Sequence, residues 1–320
     1  MRVLIGPNNM GFERAIPALQ QAFPHCQFAH CAQREALTDA LRDAEVYFGW
    51  LDRSHFLAAP RLRWIQSPST GVNHFLTIPE LVEGPVLLTS ARGAHSTCLA
   101  ESALAMILAF TRGIRASVLY QQKRRWAWRE IRPRLVELTG STLGIIGLGA
   151  SGRSLAQRAH AFGMRVIAVD VMPHDPPAEV AALWGIDHLD ELLRQSDYVV
   201  VMVPYTPQTR GLIGEEQLAC MKPTALLVGI SRGGIIDQAA LACALREKRI
   251  AGAALDVFEA EPLPADSELW DLENLLITPH VAGGTQFEAE HLLRIFTENL
   301  GRFLRGESPL LNQVNKALGW

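Results

Sequence analysis

Residues 143–153, Leu-Gly-Ile-Ile-Gly-Leu-Gly-Ala-Ser-Gly-Arg, set three glycines in G-x-G-x-x-G spacing where an apolar run meets an amphipathic one. A strand that turns at once into a helix needs this pattern. Gly147 makes the tight turn, Gly149 leaves the backbone open to close approach, and Gly152 lets the helix lie near the sheet. That unit belongs to parallel α/β sheets. The rest of the chain keeps the same rhythm, short apolar runs alternating with amphipathic stretches, with no internal repeat and no low-complexity tract. With 320 residues, 48% of them hydrophobic, the chain is long enough for two cores.

Apolar runs at 3–5, 27–29, 46–48 and 64–66 predict strands, with helices over 13–23 and 34–42. A long apolar helix is predicted over 97–112. Two basic and aromatic segments, 123–129 and 132–134, read as a loop or arm. The rhythm restarts at Thr142. Strands are predicted at 143–146, 165–169, 198–203, 225–230, 251–255 and 275–278, with helices at 153–162, 190–194, 215–221 and 238–248. A solitary helix at 287–303 follows Gly283-Gly284. A restart followed by one last helix predicts a discontinuous first domain, 1–97 with 287–320, and an inserted domain, 98–286. The expected fold is α/β, two doubly wound parallel-sheet domains, a Rossmann nucleotide-binding domain inserted into a flavodoxin-like one.

Composition narrows the function classes. The formal net charge of −3 carries no electrostatic footprint for nucleic acid or an anionic membrane. The opening strand meets Gly6-Pro7 too early for a signal peptide, and no apolar run approaches a membrane span. Five cysteines, an odd number without C-x-x-C spacing, fit reduced thiols in the cytoplasm. His25-Cys26 and His30-Cys31 read as the two ends of one short strand, so no metal is expected.

The free N–H groups and partial positive charge at the start of the helix after Gly149 suit a pyrophosphate. Asp170, at the end of the next strand, can accept from a ribose 2′-OH. Its carboxylate repels a 2′-phosphate, and Val171-Met172-Pro173 offers no arginine to receive one. NAD is therefore expected over NADP, which is left open. Ligands of open parallel sheets bind beyond the carboxyl ends of the strands. Those ends carry Gly147–Gly152, Asp170, Pro204, Ile230 to Arg232, Asp256, and Pro279-His280. Three residues there can carry chemistry. The Arg232 guanidinium matches a 2-oxo acid through paired donors. The His280 imidazole can give or take a proton near neutrality. Glu261, before Pro262, could reach the far ring nitrogen and orient it. Together they suit hydride delivery to a ketone, Arg232 stabilising the developing oxyanion and His280 protonating it.

At these residues the sequence resembles the D-isomer-specific 2-hydroxyacid dehydrogenases. The likeness rests on Gly147–Gly152 with Asp170, on 203–213, on Arg232-Gly233 with Asp237, on 253–263, and on Thr278-Pro279-His280. It implies an Arg, Glu and His catalytic set at Arg232, Glu261 and His280, with Asp256 toward the nicotinamide carboxamide. It extends cofactor contact to Ala150, Ser151, Val203, Pro204, Thr209, Ile230, Ser231 and Gly283. It further implies that Ser69, Thr70, Gly71 and Val72 hold the substrate carboxylate, in a cleft whose closure excludes water, and that the protein is a homodimer. Asn73 stands where the family commonly has Asp, and Gly229 where it has Asn. Glyoxylate/hydroxypyruvate reductases are similar in length and aromatic content. Trp50, and Trp126 or Trp128 on the arm, are candidates to wall a small pocket. Formate dehydrogenases of the superfamily carry Gln at the position of Glu261, which disfavours formate; phosphite oxidation stays open. A nucleotide-sensing, corepressor-like module on the same scaffold is the alternative from another class. A hydrolase of similar layout would need cysteine or lysine chemistry that is not found.

Overall fold

A computed structural model describes residues 1–172 and 175–319. The chain forms two compact units, Met1–His95 with Thr285–Trp320, and Ser96–Gly284.

The first unit begins with β1 (Arg2–Ile5), α1 (Ile16–Ala22), β2 (Gln27–His30), α2 (Leu37–Leu41) and β3 (Val46–Phe48). It continues through α3 (Arg53–Leu57), β4 (Trp64–Gln66), α4 (Pro79–Glu83) and β5 (Leu87–Thr89). The strands lie parallel in the order β2-β1-β3-β4-β5, the flavodoxin-like arrangement. Both faces are covered, so the central strands β1, β3 and β4 are mostly apolar and their side chains alternate between two cores. Tyr47 packs with Leu37, Leu41, Ile65 and Phe75 on one face; Val46 and Phe48 pack with Phe12 and Trp64 on the other.

The second unit opens with α5 (Ser96–Thr111), α6 (Ile114–Gln122) and α7 (Trp128–Ile131). The segment read as an arm thus contains short helices. Then follow β6 (Thr142–Ile146), α8 (Ala150–Ala161), β7 (Arg165–Asp170), β8 (Ala182–Gly185), α9 (Leu189–Gln195), β9 (Tyr198–Val201), α10 (Glu215–Cys220), β10 (Leu226–Gly229), α11 (Gln238–Arg246), β11 (Gly252–Leu255) and β12 (Leu275–Ile277). The seven strands are all parallel, in the order β12-β11-β10-β9-β6-β7-β8. The order reverses between β6 and β9, the switch point where doubly wound sheets receive ligands. Strands β5 and β8 are additions to the strands expected from the sequence. Both are short edge strands, and β8, Ala-Leu-Trp-Gly, is only half-buried.

The last helix, α12 (Glu288–Leu304), belongs to the first unit. Its Phe296 stacks on Phe48 at 4.7 Å between ring centroids and on Trp64 at 5.6 Å. No single described helix is long and apolar enough to cross a membrane. Among the described residues no group of three or more His, Cys, Asp or Glu side chains could hold a metal.

Candidate active site

The turn after β6 is shaped by what its glycines leave out. Gly147 has φ +97°, a backbone region that side chains oppose. A Cβ there would also lie 2.9 Å from Val203 and 3.0 Å from the Met202 backbone. A Cβ on Gly152 would sit 2.2 Å from the Gly147 carbonyl oxygen, so α8 can start this near the turn only with glycine. At Gly149 a Cβ would meet nothing within 4 Å. The backbone is open toward solvent there, and α8 begins at Ala150 with no side-chain cap. Unclaimed helix N–H groups around Ala150 and Ser151 beside an unfilled space fit a pyrophosphate. The Ser151 hydroxyl lies 3.4 Å from that of Ser96.

Asp170 ends β7, and its carboxylate also organises this turn. It accepts from the Leu148 N–H at 2.8 Å and the Met172 N–H at 3.1 Å, one on each oxygen. Each oxygen keeps a second lone-pair direction for a ribose hydroxyl. Pro173, part of the argument for NAD, lies outside the described residues.

After β9, Val203 is buried and Pro204 leads into a compact turn. The Thr209 hydroxyl donates to the Pro204 carbonyl at 2.7 Å and accepts from the Thr206 N–H at 2.8 Å. Thr209 is buried, so its side chain shapes the loop from within. After β10, Ile230 is buried, while Ser231 and Arg232 are half-buried. The Arg232 guanidinium donates to the Ser231 carbonyl at 2.7 Å. Burial lowers its pKa, and the charge of Glu261 opposes that shift. A Cβ on Gly233 would overlap the Phe258 carbonyl at 1.8 Å, so this loop sits directly against the segment that leads to Glu261. A Cβ on Gly229 would lie 2.8 Å from Ile236 and 2.9 Å from Leu255. Two larger apolar side chains thus fill the space that an Asn at this position would need.

Glu261 and His280 form the tightest contact of the set. His280 Nδ1 lies 2.6 Å from Glu261 Oε2, and Glu261 Oε1 accepts from the Phe258 N–H at 2.8 Å. The ring's Nε2 is therefore the nitrogen left for other work. His280 has φ +55°, uncommon for a residue with a side chain, and its side chain is 45% exposed. Asp256, 1% exposed, explains how that backbone is held. It accepts from the Val281 and Ala282 N–H groups, each at 2.9 Å, and from the Thr278 hydroxyl. The sequence marked Asp256 only as a cofactor contact; its clamp on 278–282 depends on donors more than twenty residues away, which no local pattern reveals. From the other side, α5 braces the same segment. Ser102 donates to the Ala282 carbonyl at 3.1 Å, and Cys98 Sγ lies 3.0 Å from that of Gly283.

In the first unit, Ser69, Thr70, Gly71 and Val72 follow β4. Ser69 is pinned by a hydrogen bond from its N–H to Ser67 Oγ at 3.1 Å and by the Ala91 N–H donating to its carbonyl at 2.9 Å. Val72 is buried. Among the described residues, the N–H groups of Thr70, Gly71 and Val72 donate to no protein acceptor. Three adjacent unpaired donors are what a carboxylate requires. Trp50, 40% exposed, packs on His74 with ring centroids 4.3 Å apart and borders a cavity of about 280 Å3 shared with Asn8, Met10, Phe48 and Pro68. Trp126 and Trp128 lie in the second unit, on its surface; Trp126 is 92% exposed.

Comparison with known proteins shows the family. The family description "D-isomer specific 2-hydroxyacid dehydrogenase, NAD binding domain" matches residues 104–282. A glyoxylate reductase from Korarchaeum cryptofilum is 38% identical over 283 residues, 87% of this chain and 81% of that protein. A D-isomer specific 2-hydroxyacid dehydrogenase from Xanthobacter autotrophicus Py2, solved with NADPH and MES, is similar with a TM-score of 0.86 at 29% identity, over 99% of both chains. An NADPH-dependent glyoxylate/hydroxypyruvate reductase from Sinorhizobium meliloti, solved with NADP and sulfate, gives 0.85 at 28% identity over 100% of both. The chain belongs to the D-isomer-specific 2-hydroxyacid dehydrogenase family. It is an NAD(P)-dependent oxidoreductase.

Proposed function

We propose that this protein reduces a small 2-oxo acid of the glyoxylate or hydroxypyruvate type to the D-2-hydroxy acid, with NADH. The observation that carries this reading is the His280–Glu261 pair at 2.6 Å with the Arg232 loop packed against the Glu261 segment. The bound nicotinamide supplies the hydride. Negative charge then grows on the carbonyl oxygen, and the Arg232 guanidinium stabilises it in a half-buried setting where water screens little. His280 gives its Nε2 proton to that oxygen, while Glu261 holds Nδ1 and so the ring plane. The N–H groups of Thr70, Gly71 and Val72 take the substrate carboxylate, and Trp50 borders the substrate side chain.

The turn from Gly147 to Gly152, with Ala150 and Ser151, holds the pyrophosphate. Asp170 takes the ribose hydroxyls. Val203, Pro204, Ile230, Ser231 and Gly283 line the nicotinamide side. Thr209 and Asp256 hold the loops that carry those contacts. NADH is favoured because Asp170 is anionic and neither Val171 nor Met172 can neutralise a 2′-phosphate. The glyoxylate reductase from Korarchaeum cryptofilum supports the substrate class. Exposed apolar side chains on 114–136, among them Ile114, Val118, Trp126 and Trp128, fit a face buried between two copies of the chain. Five cysteines without a disulfide fit a cytoplasmic protein.

The test is turnover of glyoxylate, hydroxypyruvate, pyruvate and bulkier 2-oxo acids with NADH and with NADPH. Highest kcat/KM on the two smallest hydroxylated or unsubstituted acids with NADH supports the reading. Tight NADH binding without turnover of any acid would overturn it in favour of a sensor.

A further inference from the structure

A second histidine–glutamate pair stands in the first unit, outside the machinery described above. His95 Nε2 lies 3.2 Å from Glu288 Oε1, and His95 Nδ1 lies 3.2 Å from the Thr70 hydroxyl oxygen. The His95 side chain is 13% exposed. Its backbone is anchored as well: the Ala94 carbonyl, one residue earlier, accepts from His291 at 2.8 Å, one turn along α12 from Glu288. An ionised carboxylate only accepts hydrogen bonds, so Nε2 carries the proton shared with Glu288. That fixes the ring plane and turns Nδ1 toward Thr70. The arrangement repeats the logic of a carboxylate orienting an imidazole, but here the imidazole ends on a loop hydroxyl.

The loop needs such a tie. Ser69 is held at both its N–H and its carbonyl, and Val72 is buried. Between them Thr70 is exposed, and the three unpaired N–H groups begin at that residue. Its side chain has one described side-chain partner, His95. We propose that His95 and Glu288 are positioning residues that hold Thr70, and through it the N–H groups of the 70–72 loop, in the orientation that binds the substrate carboxylate. In this role the pair acts through Thr70 and need not touch substrate or cofactor. It lowers the ordering entropy that carboxylate binding must otherwise supply. This inference rests on reading the 69–72 loop as the carboxylate site.

A positioning role predicts a particular kinetic split. His95→Ala raises KM for the 2-oxo acid about 10-fold, leaves kcat within about 2-fold, and leaves NADH affinity unchanged. Thr70→Val does the same. The Thr70→Val/His95→Ala double variant is no worse than either single one, because both break one link. Glu288→Gln keeps an acceptor for Nε2 and stays near wild-type KM, whereas Glu288→Ala moves toward the His95→Ala value. NADH titration of each variant checks that it is folded. Additive effects in the double variant, or Thr70→Val raising KM while His95→Ala does not, overturn the positioning role alone. An unchanged KM in Thr70→Val overturns the positioning role as well, whereas an unchanged KM in Gly71→Pro, which removes one of the three N–H groups, overturns the carboxylate-loop reading beneath it. Should His95→Ala fail to fold, the Thr70→Val and Glu288→Gln pair still decides, since a link through the ring makes the first sensitive and the second tolerant.

Discussion

The two histidine–glutamate pairs, one in each unit, differ in what surrounds the imidazole. His280 has one nitrogen on Glu261 at 2.6 Å, a side chain 45% exposed, and a left-handed backbone held by the buried Asp256. His95 has both nitrogens engaged at 3.2 Å and is mostly covered. A ring with an open nitrogen in a solvent-reachable setting can exchange a proton with a ligand. A ring closed at both ends can only hold something still. The same pair of residue types thus leaves a ring with one nitrogen free to exchange a proton or a ring tied at both nitrogens.

The contrast can be broken most sharply at the open ring. His280→Ala lowers kcat by about 10³-fold with NADH affinity unchanged, measured by steady-state rates and NADH titration. Normal turnover in that variant ends the proton-transfer assignment. Arg232→Lys keeps the charge but loses the planar fork, and lowers kcat/KM by about 10²-fold. Asp256→Asn turns an amide NH2 toward backbone donors that now point at a carboxylate. The 278–282 turn loses a partner, so kcat falls about 10-fold and thermal stability drops by about 2 kcal/mol, read from rates and melting curves. A variant with intact stability and lowered NADH affinity would instead mark Asp256 as a direct cofactor contact. Gly149→Ala leaves melting unchanged, because nothing of the protein fills that space, yet weakens NADH binding about 10-fold; Gly152→Ala lowers stability as well.

A further expected effect lies in the first unit and concerns acid. Burial lowers the His74 pKa to about 4, and its Nε2 has no hydrogen-bond partner among the described residues. The unfolded chain takes up this proton at an ordinary histidine pKa, the folded chain only near 4. Stability is therefore complete above the ordinary value and falls as pH drops toward 4, by on the order of 2 kcal/mol. His74→Asn flattens that slope, which urea unfolding at about pH 7 and about pH 4.5 would measure. An unaltered slope would show that the acid response comes from another group.

Much of the second unit could be read from the chain. The strands β6, β7, β9, β10 and β11 are continuous apolar runs because both faces of the sheet are covered, and the glycine turn announces itself. The edge strands β5 and β8 could not be read, since three or four residues are too few to carry a periodic signal. The helices α6 and α7 were hidden by basic and aromatic side chains that face outward. At the site, Arg232 and His280 stood out by residue type after strands and Glu261 by its turn before Pro262, and the expected Glu261–His280 contact is present. What Asp256 and Thr209 do with their polar atoms did not, because it depends on which backbone groups the closed fold turns toward them. The His95–Glu288 contact joins residues 193 positions apart and has no trace in local sequence.

The placement of α12 also sets an order of assembly. Phe48 and Trp64 complete their stack only when Phe296 arrives, and Phe296 is made after the whole of the inserted unit. During synthesis the first 95 residues wait with one apolar face uncovered, while 96–284 already contains every strand of its own sheet. The nucleotide-binding half is therefore the first to be able to mature on the ribosome. The unit that begins first is completed only after the inserted unit has been made, because α12 follows residue 284.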